Sequence, residues 1–201
     1  MDKGTLNRTD QLYASARELL CEAYAKGMNR QEIKKRLYQL NIDSVLSTPK
    51  AVLGRLDAVR FFDELFSACV LMAAKRQLHL SAYLPRLPYF CAADYRVLRL
   101  AVCELLTAAF TESQNAEIAM DVTATEVVLM SAPTKASGFP VARHAAELHG
   151  GLFKAYKNTA EMRIPAAANG SAYYAVTAAF DYLDEFSPVG TNLLFPEVSF
   201  L

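Results

Sequence analysis

Apolar positions recur along this chain with two periods, and the switches between them lay out its elements. Steps of three and four residues predict helices, and strict alternation predicts strands. Leu12, Ala16, Leu19, Leu20 and Ala23 make one face of a helix over 10–25, capped by Thr9 or Asp10 and stopped by Gly27. A second helix starts near Asn29, with Glu32 three residues on in the manner of a capping box, and runs through Ile33, Leu37 and Leu40. Lys34, Lys35 and Arg36 fall on its outer, solvated face. The pair reads as a hairpin for packing or dimerisation. It reads alternatively as the first two helices of a helix-turn-helix, whose recognition helix would begin around Thr48-Pro49.

From Leu56 to Arg76 the stripe Val59, Phe62, Phe66, Cys69, Val70 and Ala73 predicts one long helix. QLHLSAYLP is then an edge-type strand ended by Pro85. Asp94 caps a helix through Val97, Leu98, Ala101, Val102, Leu105 and Ala109. EIAMDVT and EVVLMSA alternate as two strands of a hairpin, and PTKAS links them to an amphipathic helix over Phe139–Leu148. In that helix Val141, Ala145 and Leu148 share a face, with Arg143 and Glu147 pointing away. Gly150 and Gly151 supply a positive-φ exit, and LFKAYKN with AEMRIPA makes a second hairpin. The order predicts a two-layer α/β sandwich, a mixed and largely antiparallel sheet with helices on one face, preceded by the helical hairpin. The divisions are 1–55 for the hairpin, 56–165 for the sandwich and 166–201 for a C-terminal extension. In the extension AYYAVTAAFDYLDEF is read as a helix and NLLFPEVSFL as an apolar end tied down on its own domain.

Composition narrows the setting. The 201 residues are 53% hydrophobic and 21% charged, enough for a substantial core. No apolar run reaches the roughly 18 residues that span a bilayer, and MDKGTLNRTDQ lacks the apolar stretch of a secretory signal. Four cysteines without a C-x-x-C pair read as buried thiols of a reducing compartment, so the expected location is cytoplasmic, with no membrane partner. Net charge is zero; residues 1–60 carry eleven Lys and Arg against seven Asp and Glu, too mild an excess to imply nucleic acid.

The stretch ASGFPVARHAAELHGGLF, ending Glu147-Leu148-His149-Gly150-Gly151, resembles the last glycine box of the histidine-kinase-type (GHKL) ATPases. The element order from Leu56 to Pro165 is similar to that of the same family, apart from a nucleotide lid shortened to a few residues. The resemblance implies an ATP site holding Mg²⁺ through an Asn of the N-box helix, reading adenine through an Asp, and cradling phosphate at a glycine turn before the last helix. On that pattern Glu104 falls where hydrolysing members and anti-sigma kinases carry their glutamate, the one catalytic candidate. Ala108 stands where the Mg²⁺-holding Asn belongs, and a methyl group ligates no metal. Leu129 to Thr134, with Ser131 at its centre, replaces the Asp-Gly box; Ala136 takes the first glycine position, leaving Gly138, then Phe139.

No histidine lies on an N-terminal helix where the resemblance places a phospho-acceptor: the three are His79, in a strand, and His144 and His149, in the glycine helix. His149 reads as a helix-end residue favoured by the C-terminal dipole, and Glu104 as a helix-face carboxylate. Ala108 is expected at the edge of the helix stripe, facing the turn before Gly138. The resulting expectation is a degenerate, pseudokinase-like signalling protein with no resident ATP or metal. It would work through a protein partner, with a homodimer through the N-terminal helices as one form. The alternatives are a nucleotide-binding kinase with unusual contacts, and a DNA-binding regulator.

Overall fold

The computed structural model describes residues 3–75, 79–86, 88–112, 115–132, 138–156 and 159–166. The extension beyond 166 and the linker PTKAS lie outside the described residues, and with them the expected tail helix and apolar end.

Two helices open the chain, α1 (Lys3–Ala25) and α2 (Arg30–Leu46). Gly27 turns between them at φ +59, and Asn29 caps α2 by accepting the Glu32 N–H at 2.9 Å. The second helix continues to Leu46, past the expected Leu40, and no helix begins at Thr48-Pro49. The recognition helix of a helix-turn-helix is therefore missing, because Gly54–Asp57 is drawn into strand β1. Lys34 is buried, only 6% exposed, where a solvated basic face was expected. The reason is that α2 is covered twice, by α1 on one side and by a later helix on the other.

After β1 come α3 (Ala58–Lys75), β2 (His79–Tyr83), β3 (Phe90–Ala93) and α4 (Tyr95–Glu112). Then follow β4 (Asn115–Val122), β5 (Glu126–Ala132), α5 (Pro140–Leu148), β6 (Leu152–Tyr156) and β7 (Thr159–Pro165). The main sheet runs β2-β4-β5-β7-β6, parallel between β2 and β4 and antiparallel elsewhere. β1 and β3 form a separate antiparallel pair, so Leu56 opens no helix; it faces Cys91 across that pair. One face of the main sheet is apolar, through Ile118, Met120, Val127, Leu129, Phe153, Met162 and Ile164, and α3, α4 and α5 pack with it into a single core. Arg163 on β7 holds Glu126 and Glu161 in ion pairs at its half-exposed position on the opposite side of the strand.

α4 is the centre of the core. Val97, Leu98, Ala101, Val102, Leu105, Leu106 and Ala109 are all buried, as their stripe predicts. Phe61 of α3 meets Tyr95 edge-on with centroids 5.3 Å apart. Cys91 and Cys103 are buried free thiols, but Cys21 is exposed, because α1 covers only one side of itself with α2.

Candidate functional site

The site is built where α5 begins. Pro140 at the first helical position presets φ and lacks an N–H, which suits that position. Phe139 before it takes a left-handed conformation, φ 44 and ψ 53, and gives no side-chain cap. The helix thus starts one residue later than expected, with its first N–H groups in need of an acceptor. Glu104 on α4 supplies it: one carboxylate oxygen accepts from Ala142 N–H at 2.8 Å and the other from Val141 N–H at 3.4 Å. A carboxylate here also meets the positive end of the helix dipole. Glu104 is accordingly no solvated helix-face acid. Burial pushes its carboxyl above the usual range, and the N–H groups of Ala142 and Val141 pull it back.

The other expected site residues divide. Phe139 is buried with its ring 5.6 Å from that of Phe153. Gly138 is exposed at φ +136. Ser131 lies in β5 with Ile118 and Ala160 as its strand partners. Ala108, one helical turn beyond Glu104 on the same side of α4, is 8% exposed and part of the core. The expectation of a position outside the helix–sheet core is corrected, since Ala108 belongs to the buried cluster; the turn it was expected to face lies outside the described residues. No group of three or more His, Cys, Asp or Glu able to hold a metal occurs among the described residues.

α2 closes the outer side. Tyr38 is pushed up to about 12 by burial first, and then by the nearby Glu104 and Cys103. Below it His144 of α5 donates from Nε2 to the Thr48 carbonyl at 3.1 Å, and Arg96 reaches the Thr48 hydroxyl at 3.5 Å. Asp94 fixes the joint by accepting N–H bonds from Val52, Arg96 and Val97. Nothing in the local sequence marks Thr48 or Tyr38 for this; the signal would have been the inward spacing of Lys34, Tyr38 and Val45.

At the far end of α5, His149 is 5% exposed. Its Nε2 accepts the Asp94 N–H at 2.8 Å and its Nδ1–H donates to the Ala145 carbonyl. That pattern needs a neutral ring, so the cation favoured by a helix dipole is not what stands here. Burial holds the imidazole below its ordinary range, against the pull of the Ala145 carbonyl and the Asp94 carboxylate. The unfolded ring titrates near 6.5. His149 therefore contributes its full stability above about pH 6.5, and loses it as pH falls from there through the lower folded value. Glu104, raised in the fold, works in the opposite sense above the ordinary carboxylate range. Urea midpoints of wild type and His149→Gln between pH 7.5 and 5.5 isolate the histidine: the wild-type midpoint is expected to fall more steeply. Parallel curves would contradict the neutral ring.

No family model matches this chain, and no curated protein matches it. Solved structures do. A histidine kinase from Burkholderia phymatum superposes with a TM-score of 0.50 at 14% identity, covering 84% of this chain and 100% of that one. The cytoplasmic segment of the histidine kinase QseC matches with a TM-score of 0.50 at 17% identity, over 67% of this chain and 95% of that one. The fold is that of the histidine kinase catalytic, ATP-binding domain, as the glycine-box resemblance implied.

Proposed function

We propose that this chain keeps the histidine-kinase ATPase fold but has given up the nucleotide, and acts in signal transduction by presenting a surface to a protein partner. The observation that carries this is Glu104: its carboxylate sits on the Val141 and Ala142 N–H groups, where the resemblance puts the phosphate cradle. An anion already fills that place, and a second one would meet like charge. The buried Ala108 offers no oxygen to Mg²⁺, and Ala136 replaces a cradle glycine. The partner surface in this reading includes the outer side of α1, where Leu20 and Tyr24 are 46% and 92% exposed.

A kinase reading with Glu104 as general base is disfavoured by the same bonds, since both carboxylate oxygens are occupied by backbone N–H groups. A cytoplasmic setting accords with the two buried free thiols and belongs to the proposal. No described helix is long and apolar enough to cross a membrane.

Thermal melting with and without Mg-ATP tests the reading. A ligand at a hundredfold its dissociation constant adds about 2.7 kcal/mol to the folded state. The expected result at millimolar nucleotide is no change in melting temperature. A rise of several degrees that needs both ATP and magnesium would sink the proposal.

A further inference from the structure

Arg99, on α4, is 7% exposed, and its Nε has no hydrogen-bond partner. No carboxylate among the described residues lies in ion-pair distance of its guanidinium. The two acids on or beside α4 are committed elsewhere, Asp94 to the N–H groups of Val52, Arg96 and Val97, and Glu104 to α5. The nearest aromatic face is that of Tyr95, 5.4 Å from the guanidinium carbon. A buried lysine can shed its proton to relieve such a cost, but a guanidinium cannot. A cation held this way needs an anion to be stable.

We propose that Arg99 anchors a binding site for a small oxyanion, a phosphate or a carboxylate, on the side of α4 that also carries Cys103. The unpartnered Nε is one half of the side-on edge of the guanidinium, the edge that takes two oxygens of a carboxylate or phosphate in parallel N–H···O bonds. Cys103 lies one turn further along α4, fully buried. The Cys103 thiol is held protonated at neutral pH, pushed up to about 12 by burial, so it adds no negative charge beside the guanidinium. Among the described residues Arg99 makes no hydrogen bond to the start of α5, which Glu104 caps, so the proposal does not rest on the fate of the nucleotide pocket.

The test uses the full chain in chloride buffer, with inorganic phosphate or acetate added at matched ionic strength so that screening is constant. The melting temperature of wild type is expected to climb with phosphate, with acetate, or with both, and to keep climbing with the logarithm of concentration once the site fills. The arm that responds names the anion. Arg99→Met is expected to abolish the climb while melting no lower than ligand-free wild type, because it removes an unpaired charge. Should that variant not fold, Arg99→Lys serves: it keeps the charge, loses the fork and is expected to respond more weakly. Glu104→Gln is expected to respond as wild type does. The proposal fails if neither anion moves wild type, if Arg99→Met or Arg99→Lys responds as strongly as wild type, or if the response vanishes in Glu104→Gln, which would place it at α5.

Discussion

Alanine at Gly151 is expected to lower the stability of this protein by about 3 kcal/mol or more, the range reached when a tight site must shift its backbone. A Cβ there would lie 1.9 Å from the Arg163 carbonyl oxygen and 3.0 Å from its carbon, both backbone atoms of β7 that no rotamer change can move. Alanine at Gly150, its neighbour, is expected to cost only about 1–2 kcal/mol, the penalty for a side chain in the left-handed region. Gly150 has φ +68 and nothing within 4 Å of the added atom. The two N–H groups close the helix together, Gly150 onto Glu147 at 3.0 Å and Gly151 onto Ala146 at 2.8 Å, the paired bonds of a Schellman end. Urea midpoints of the two variants check the order. Equal losses would mean that β7 is not pressed against the helix exit.

Ala108→Asn carries the second large effect. On a solvated helix face the change would cost well under about 1 kcal/mol, the difference in helix propensity. At 8% exposure inside the core, overpacking and a buried amide are each worth about 1–3 kcal/mol, so a loss of about 3 kcal/mol is expected. No affinity for Mg-ATP is expected in return, since Glu104 still occupies the start of α5. A loss below about 1 kcal/mol would show that residue 108 looks into open space and not into the core.

Much of the fold was legible because its elements are long and strongly periodic. The stripe from Val97 to Ala109 marks α4, and the alternation of EIAMDVT and EVVLMSA marks the central hairpin. β1 and β3 were not legible. Each has four residues, and the register that joins Leu56 to Cys91 spans 35 positions, so no local window contains the pairing. Leu56 therefore passed for the first turn of α3.

The site divides along the same line. The glycine box was visible as letters, because a helix stop belongs to single residues. Gly150 and Gly151 look alike in the sequence; one is required by its own φ, the other by a strand twelve residues further on. Glu104 reads as one more polar position on a helix until α5 brings the Val141 and Ala142 N–H groups to it. His149 reads as a helix-end cation until the Asp94 N–H takes its second nitrogen and burial makes the charge costly. Periodicity records which face of an element is buried, so the sequence by itself determined the layers and the order of the long elements. What each buried polar group touches depends on contacts between distant segments, and only the tertiary structure decided that the start of α5 is filled from within.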